Sequence, residues 1–362
     1  MAVSRINEAG LNVNQYGNRN VIINGAMQVA QRQTSSSNVG NQYVLDRFSV
    51  YKQNTGSTYT CSQNSVTDLA GFSNSLKMDC TTADTSFAFN EQVHVAYKAK
   101  GKDLQRFQKG HATALGFTLS FYVKTNKTGV YTIKLFDRDN TRDVSGSYTV
   151  ADANWNRYTV NFPADTTGKF DDDNASSLEI FFQLVQGSDT TGGTLNTAWR
   201  SNSDASAASG QVNFADSTSN DWEITGVQLE VGDTATDFEH RTFADELQRC
   251  RRYAYLVGKE NGKMFTSACF ARSGYLDLVY GPLPLLQELR ASPTLTYGGN
   301  IRGTNFTRGY STQTTTDLVT YDFGSTKLGG IRVTFPSDWT AGDEVFIGDH
   351  DGTGFILLDA EL

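Results

Sequence analysis

The sequence predicts an all-β protein, in which one β-sandwich is followed by a second, smaller β-sandwich or barrel, with one short helix between them. Segments that alternate apolar and polar residues follow one another at intervals of roughly 10 to 20 residues, separated by turn residues. The composition agrees, because 12% of the residues are aromatic and only 19% are charged, as in packed strands joined by uncharged polar loops. Convincing helical features occur in one stretch only.

The length of 362 residues is sufficient for two domains with substantial cores. We predict an N-terminal arm at residues 1–20, a first β-sandwich domain of the jelly-roll type at 21–238, a helical connector at 239–256 and a C-terminal β domain at 257–362. The arm is polar and has too few apolar residues to fold alone. No internal repeat is visible, which argues against a β-helix or a propeller.

The first domain is predicted to begin with a short buried strand at residues 21–23, followed by a turn or bulge at Asn24 and Gly25. Residues 43–51 form the next predicted strand. The remaining strands of this domain are predicted at 57–62, 75–81, 86–95, 114–124, 128–137, 144–149, 155–162, 177–186 and 222–231.

Three connections in this domain have distinctive sequences. Residues 118–123 and 131–136 alternate strictly on either side of a short turn sequence, which predicts a β-hairpin. Residues 99–112 are the only candidate for a helical turn. Residues 187–220 form a long loop rich in small polar residues, and a loop of that length is usually functional or ordered by a neighbour.

The stretch 221–255 is interpreted as a hinge between the two domains. Its first half alternates as a strand, and the alternation shifts by one residue at Gly226, which predicts a β-bulge. A short helix is then predicted to begin after Thr242 as its N-cap. Leu247, Cys250, Arg251 and Ala254 fall on one side of this helix, so its apolar stripe is narrow, and these four residues are the candidates for an oligomer interface.

The C-terminal domain shows a further series of short strand patterns. Three prolines bracket residues 282–293, which are predicted to run as a loop with one turn of helix. The strands are predicted at 252–258, 263–271, 274–281, 293–298, 315–323, 329–336, 343–348 and 353–361.

Charge and hydropathy exclude several classes of partner. The net charge of -8 disfavours nucleic acid, because binding to a phosphate backbone relies on clustered cations. No apolar run approaches ~18 residues and no signal peptide is evident, so we expect a soluble protein that does not insert into a membrane. The cysteines lack metal-binding spacing, and synthesis in a reducing compartment predicts buried free thiols, although Cys61 and Cys80 lie on strands that could face each other.

The search for catalytic motifs finds none, and the four histidines are scattered singly. One loop is a candidate for a structural Ca²⁺, because it concentrates the oxygen ligands that this cation prefers. Its residues are Asp171, Asp172, Asp173 and Asn174. The alternative interpretation is a solvated turn, since the spacing is not that of an EF-hand. We expect no other cofactor.

Trp199 and Arg200 lie in the long polar loop. A tryptophan there can stack on a sugar ring while its polar neighbours supply hydrogen bonds. It can equally attach the loop to its own sandwich. Both interpretations remain open, and the pair is the candidate glycan-binding site.

Several stretches together resemble a family of virion structural proteins of bacteriophages that infect marine bacteria and cyanobacteria, described as tail or tail-fibre proteins. The resemblance spans residues 18–255. Its blocks, in order, are NRNVIINGAMQVAQR, YVLDRF, GFTLSFYVKTNKTGVYTI, WNRYTVNFPADTTG, GGTLNTAW and ADSTSNDWEITGVQLEVGDTATDFEHRTFADELQRCRRY. The sequence departs from the family at Phe48, where tryptophan is usual.

The resemblance implies a jelly-roll domain similar to carbohydrate-binding modules, carried on the tail or capsid surface of a virion that assembles in the host cytoplasm. It further implies a homotrimer that attaches to other virion proteins through its N-terminal arm and binds a host-surface polysaccharide or receptor. We expect a non-enzymatic tail fibre. The alternatives are a capsid decoration or tail-adaptor subunit that binds no glycan, and a capsule depolymerase, which would need a carboxylate pair in a groove.

Overall fold

The computed structural model describes residues 18–86, 88–259, 264–272, 275–305, 311–321 and 328–362. Residues 1–17 of the predicted arm lie outside the described part of the chain. Contacts divide the chain into two compact units, one of Met1–Phe243 with Leu362 and one of Ala244–Glu361. Both are built from β-strands, which confirms the predicted all-β class, and no helix among the described residues has the length and apolar character to cross a bilayer.

The first unit contains thirteen strands in its described residues. They are β1 (Ser35–Ser37), β2 (Gln42–Tyr43), β3 (Phe48–Gln53), β4 (Thr58–Ser65), β5 (Asn74–Thr82), β6 (Gln92–Lys100), β7 (Phe117–Thr125), β8 (Gly129–Asp137), β9 (Arg142–Val150), β10 (Asn156–Phe162), β11 (Ser176–Gln186), β12 (Arg200–Ser201) and β13 (Asp221–Val231).

These strands form two antiparallel sheets that enclose a single hydrophobic core. The six-stranded sheet has the order β1-β4-β5-β13-β7-β10, and the seven-stranded sheet has the order β12-β9-β8-β11-β6-β3-β2. Most connections lead from one sheet to the other, as in a jelly-roll β-sandwich. The core contains large, fully buried aromatic side chains from both sheets, including Tyr97, Phe121, Phe182 and Trp222.

The predicted hairpin of residues 118–123 and 131–136 is wrong, although both segments are strands. β7 lies in the six-stranded sheet and pairs with β13 and β10, whereas β8 lies in the seven-stranded sheet and pairs with β11 and β9. The short connection therefore crosses between the sheets. Alternation shows that a segment has one apolar face, and it does not show which strand becomes the partner.

Two further local predictions need correction near the N-terminus. Residues 21–23 are buried, as predicted, but they form no strand. The predicted strand 43–51 is interrupted, because β2 ends at Tyr43 and β3 begins only at Phe48. Arg47 in the intervening turn has a φ of 72°, a left-handed conformation that does not occur within a regular strand.

The predicted loops contain short ordered elements. Within 99–112, two 3-10 turns are formed by Gly101–Asp103 and Gln105–Phe107. Within 187–220, the chain forms the four-residue helix α1 (Ser188–Thr191), the edge strand β12 and a 3-10 turn at Phe214–Asp216.

The bulge predicted in β13 is confirmed, and beyond it the strand bonds to a different part of the chain. β13 pairs with β5 only from Asp221 to Ile224, and its pairing with β7 shifts register between Thr225 and Gln228. Beyond the shift, the polar groups of β13 that β5 does not reach bond to residues 20–25 instead. The N–H of Val227 donates to the carbonyl oxygen of Gly25 (2.9 Å).

Asn20 and Asn24 hold this N-terminal segment in place. Asn20 donates through Nδ2 to the Val227 oxygen (3.0 Å) and accepts from the Leu229 N–H (3.1 Å). Asn24 is completely buried, and its amide group bonds to the main chain of Val29 and to the main-chain oxygen of Asp46 (2.8–2.9 Å). These buried polar groups hold the segment in one position, because leaving any of them without a hydrogen bond would cost free energy.

The second unit contains α2 (Phe243–Arg251), the predicted short helix. Its strands are β14 (Ala254–Gly258), β15 (Met264–Arg272), β16 (Tyr275–Pro284), β17 (Thr294–Gly298), β18 (Ile301–Asn305), β19 (Ser311–Thr314), β20 (Asp317–Tyr321), β21 (Leu328–Thr334), β22 (Glu344–Asp349) and β23 (Phe355–Asp359). The sheets have the orders β14-β23-β17 and β19-β18-β22-β15-β16-β21-β20.

Two predictions for this unit need correction. Pro282 and Pro284 belong to β16 rather than to a loop, and no helical turn occurs in residues 282–293. β18 and β19 were not predicted, because their sequences are short and polar. The predicted strand 315–323 ends at Tyr321, and its last two residues lie outside the described part of the chain.

The contact between Gly25 and β13 leads to a stability prediction. A Cβ atom at position 25 would overlap the main-chain oxygen of Val227, which the sheet holds in place. We expect Gly25→Ala to lower the free energy of unfolding by about 3 kcal/mol. Urea denaturation measures this, with Gly40→Ala as the control, because a Cβ there meets only ordinary contacts at 3.7 and 3.8 Å with Lys52. Equal stability of the two variants would show that the contact is not required.

Candidate functional site

A groove of about 470 Å³ lies on the outer face of the seven-stranded sheet. Strand alternation creates its floor. Val93 and Val95 of β6 point into the core, so His94 and Ala96, which alternate with them, point outward. β3, β8 and β11 contribute side chains to the same face. The groove is lined by Asn41, Gln42, Tyr43, Ser49, Val50, Tyr51, Gln92, His94, Ala96, Lys98, Lys134, Phe136, Arg138, Glu179, Phe181, Asn202 and Asp204.

Three aromatic rings form a row across three neighbouring strands. His94 on β6 is the middle ring. Its centroid lies 4.8 Å from that of Tyr51 on β3, with an angle of 18° between the ring planes, and 4.4 Å from that of Phe181 on β11. The register explains the first contact, because Tyr51 and His94 are directly opposite each other in the paired strands.

His94 remains neutral in this position. Burial lowers the pKa of His94 to about 3, and the nearby charge of Lys134 contributes to the shift. The ring is 6% exposed, and no hydrogen bond to its nitrogen atoms is formed by the described residues. His94 therefore acts as a flat aromatic group that retains polar nitrogen atoms at the groove floor.

One end of the groove contains an ion-pair chain centred on Lys134. Its ammonium group lies 3.2 Å from Asp204 and 3.8 Å from Asp143. Asp143 is buried, whereas Asp204 is 58% exposed and faces the groove from the long loop. Lys134 thus connects the floor of the sheet to the loop that forms the rim.

Around Glu179, one carboxylate lies between two cations. This carboxylate is 5% exposed and lies between Arg138 (3.2 Å) and Lys98 (3.8 Å). Both cations are more accessible than the carboxylate they share, at 52% for Arg138 and 28% for Lys98. Phe136 lies beside Arg138, with 6.0 Å between the guanidinium carbon and the ring centroid.

Trp199 and Arg200 both lie close to the sandwich and outside the groove lining. The Trp199 indole N–H donates to the Pro163 oxygen (2.8 Å), and its ring packs against Phe117 in the core. Arg200 begins β12, bonds to Asp143 (3.2 Å) and donates to two carbonyl oxygens of its own loop. These contacts attach the loop to the sheet, and the neighbouring Asn202 and Asp204 are the loop residues that line the groove.

Asp171, Asp172, Asp173 and Asn174 are positioned by main-chain hydrogen bonds. The Asp171 N–H donates to Asp139, while a side-chain oxygen of Asp173 accepts from the Ala175 N–H (both 2.9 Å). The described residues contain no cluster of three or more His, Cys, Asp or Glu side chains that could hold a metal ion. A Ca²⁺ ion here would rely on main-chain oxygens in addition to these carboxylates.

Lys109 lies in a cage of oxygen atoms formed by residues 137, 165, 167 and 168. The completely buried Lys109 ammonium lies 2.5 Å from Asp137 and 3.1 Å from Asp165. It also donates to the main-chain oxygens of Thr167 and Gly168 (3.0 and 2.9 Å). The protein thus supplies its own cation to an arrangement of oxygen atoms that resembles the environment of a hard metal ion.

The four candidate interface residues differ in exposure. Cys250 and Ala254 are buried within their own protomer, and Ala254 begins β14, beyond the end of the helix. Leu247 and Arg251 are half-buried, and the Arg251 guanidinium lies 5.5 Å from the Tyr255 ring. Leu247 is therefore the apolar member of the set with side-chain surface available to a partner.

All four cysteines are buried, and none of them forms a disulfide. Cys61 pairs with Met78 across β4 and β5, so it does not face Cys80. Burial raises the pKa of the Cys61 thiol to about 12, as expected for a thiol that serves as a small core residue.

The groove was not identified from the sequence. Its central residues, Tyr51, His94 and Phe181, lie far apart in the chain and come together only through the strand order β3-β6-β11. A local signal does exist: Phe136 and Phe181 occupy outward positions on predicted strands, where polar side chains are the norm. Such positions are a reason to search for a binding face.

No protein-family model and no curated protein matches the chain. Several solved structures resemble it. The CBM22-1 xylan-binding domain of Paenibacillus barcinonensis Xyn10C is 11% identical, with a TM-score of 0.28 and coverage of 57% of this chain and 99% of that domain. The family 11 carbohydrate-binding module of Clostridium thermocellum Lic26A-Cel5E is 13% identical, with a TM-score of 0.28 and coverage of 58% and 99%.

A cyclase from Fischerella sp. TAU also matches, with 9% identity, a TM-score of 0.32 and coverage of 59% of this chain and 96% of the cyclase. The matched structures thus include binding modules and an enzyme. Likeness of this degree does not assign a function, which must be argued from the groove itself.

Protonation of His94 makes stability depend on pH. The unfolded chain binds a proton at this residue near pH ~6.5, whereas the folded protein does so only near pH 3. Its contribution to stability is therefore complete above the unfolded pKa and is lost as pH falls towards the folded pKa, by up to about 1.4 kcal/mol per pH unit. We expect His94→Phe to reduce this acid sensitivity. Urea denaturation at a series of pH values from about 7 to about 4 measures the free energy of unfolding that shows it.

The exposed His111 provides the control, and His111→Phe is expected to retain the acid sensitivity of the wild-type protein. Identical pH slopes for wild type and His94→Phe would contradict the assignment of a neutral, buried His94.

Proposed function

We propose that the protein binds a glycan chain, without cleaving it, in the groove on the seven-stranded sheet. The observation that carries the proposal is the row of Tyr51, His94 and Phe181 with polar and charged side chains on both sides. Sugar rings present apolar C–H faces and polar hydroxyl edges, and a groove that combines aromatic rings with hydrogen-bonding groups complements both. Its volume lies within the range of ligand sites, roughly 300–1,000 Å³.

The arrangement of the rings favours a single glycan chain over a flat, crystalline polysaccharide surface. Tyr51 and His94 are stacked on each other, so their facing surfaces are already in contact. The faces left for a sugar are at the ends of the row, beside Phe181 and on the outer side of Tyr51. A ligand must therefore enter between side chains that project from the sheet, and a single glycan chain in the groove can do so.

Polar groups of two kinds, amides and a carboxylate, surround the rings. Gln92 supplies an amide on β6, Asn202 supplies another on the loop, and the exposed carboxylate of Asp204 accepts hydrogen bonds. Sugar hydroxyl groups both donate and accept, so they suit this mixture. The ion pair to Lys134 holds the Asp204 carboxylate before a ligand arrives, which reduces the entropy lost on binding.

The carboxylates of the groove support binding over hydrolysis. A glycosidase needs one carboxyl group in surroundings that keep it protonated, with a second carboxylate across the scissile bond. Glu179 instead lies between two cations, and Asp204 is paired with Lys134. Both groove carboxylates are therefore already engaged by cations of the protein itself.

At the level of the organism, we propose a virion protein of a bacteriophage, in the form of a trimeric tail fibre. The support is the resemblance over residues 18–255 in sequence motifs. In this role the N-terminal arm attaches to other virion proteins, and three grooves bind the host-surface polysaccharide together. Several weak sites on one particle give high avidity. A capsid decoration or tail-adaptor subunit is the alternative, and locating the protein in intact particles distinguishes the two.

Glycan binding is tested with an array of bacterial surface polysaccharides and with neutral glucans and xylan. We expect Phe181→Ala and Tyr51→Ala each to weaken binding of the retained glycans at least tenfold, equivalent to about 1.4 kcal/mol, because each removes a ring face. Calorimetry gives the affinities. The control is Phe89→Ala, which removes an aromatic ring that is 68% exposed and lies outside the groove.

Binding that persists in both groove variants, or is lost equally in Phe89→Ala, would place the binding site elsewhere. Release of new reducing ends from any bound polymer would contradict the non-enzymatic role.

Assembly is tested separately through Leu247. We expect the wild-type protein to form a trimer of 39.7 kDa protomers, as measured by light scattering. Leu247→Asp places a charge on the half-buried apolar side chain of α2 and should weaken the trimer before either unit unfolds. Gln248→Asp, at the exposed neighbouring position, is the control. A wild-type monomer, or a Leu247→Asp variant that remains trimeric, would contradict this role of the helix.

A further inference from the structure

We infer that the groove selects acidic glycans, through an anion-binding subsite formed by Arg138 and Lys98 on either side of Glu179. The inference rests on the proposed glycan-binding function and names the chemical class of the ligand. The ligand group is a carboxylate or sulfate carried by a sugar, as in polymers of uronic acids or sulfated sugars.

Cations are concentrated in the groove of a chain whose net charge is -8. The side chains that line the groove include the cations Lys98, Lys134 and Arg138 and the anions Glu179 and Asp204. Lys98 also pairs with the main-chain oxygen of Leu362, the last residue of the sequence (2.8 Å). Accessible cations on a negative protein attract anionic ligands to this position in preference to the rest of the surface.

The Lys134 end of the groove offers no cation that lacks a carboxylate partner. There, Lys134 pairs with Asp143 and Asp204, and Arg200 pairs with Asp143, which makes two cations for two anions. The charges at that end are therefore balanced within the protein. A neutral sugar with hydroxyl groups suits this end of the groove.

The position for an anion is at Glu179, which lies between Arg138 and Lys98. Lys98 has a second partner in the Leu362 oxygen, whereas within the described residues Arg138 bonds to Glu179. Glu179 is almost completely covered, whereas Arg138 and Lys98 retain accessible surface. A ligand entering the groove therefore meets cations with the carboxylate beneath them, and an anionic group placed above Glu179 would give Arg138 a partner of its own.

Arg138 is the principal donor of the subsite. A guanidinium has five N–H donors, and within the described residues only one hydrogen bond of this side chain is seen, to Glu179. The adjacent Phe136 ring restricts its position. Its remaining N–H groups match the two oxygens of a carboxylate or a sulfate, a geometry that a lysine does not provide.

Lys98 has a secondary role because it is partly engaged. Its ammonium donates to the main-chain oxygen of Leu362 (2.8 Å), and the Tyr43 hydroxyl donates to the same oxygen (3.0 Å). Lys98 therefore contributes mainly through its charge. Its effect on affinity should be smaller than that of Arg138 and more sensitive to salt.

The test compares each acidic polymer with its own neutral derivative. Polygalacturonate, alginate and hyaluronan are assayed by affinity electrophoresis and calorimetry beside the same polymers after chemical reduction of their carboxyl groups to alcohols. A sulfated polymer and its desulfated form make the second arm, and neutral glucans and xylan make the third. The first two arms distinguish carboxylate from sulfate as the bound group.

We expect at least one acidic polymer to bind at least tenfold more tightly than its neutral derivative at low salt, equivalent to about 1.4 kcal/mol. Arg138→Gln should remove most of this preference, and Lys98→Gln should remove about fivefold or less. Phe181→Ala should weaken the acidic and neutral forms by the same factor. Lys102→Gln, which changes an exposed lysine outside the groove, should have no effect.

The possible failures are distinguishable. If acidic and neutral forms bind equally, or Arg138→Gln retains the preference, the acidic subsite is wrong while groove binding stands. If the protein binds no polymer of any arm, the proposed function is wrong and the inference fails with it. If Lys102→Gln weakens binding as much as Arg138→Gln, the attraction is a general surface effect and the subsite is again wrong.

Discussion

The structure of the first unit depends on the docking of residues 20–25 against the bulged half of β13. β13 is a central strand, yet β5 pairs with it only up to Ile224. Main-chain and asparagine side-chain groups of the N-terminal segment satisfy the polar groups beyond that point. Without them, buried N–H and C=O groups in the middle of a sheet would be unpaired, at a cost of about 1–3 kcal/mol each.

The same region explains why the open groove lies on the seven-stranded sheet. Residues that follow β13 return across the outer face of the six-stranded sheet. Phe238 and His240 pack against Phe72, and Thr236 bonds to the buried Glu230. One outer face of the sandwich is therefore covered by its own chain, while the other retains aromatic and charged side chains around a cavity.

The groove and the rest of the interior use charge in different ways. Lys109, Asp137 and Asp165 form a buried cluster with no accessible surface on the lysine, so their charges serve the fold. In the groove, the buried Glu179 carboxylate holds Arg138 and Lys98, which remain partly accessible. A cation fixed from below and open above is suited to binding, because its position is set before the ligand arrives.

The sequence by itself determined most of the strands, the bulge at Gly226 and the short helix, because these follow from apolar periodicity and turn chemistry within a few residues. The tertiary structure decided what those elements contact. It separated β7 from β8 and joined Asn20 to Val227, and it brought Tyr51, His94 and Phe181 into one row. The physical reason is that alternation determines which face of a strand is apolar, whereas its neighbours are chosen by packing across the whole sandwich. A site built across several strands therefore depends on contacts that no local pattern contains.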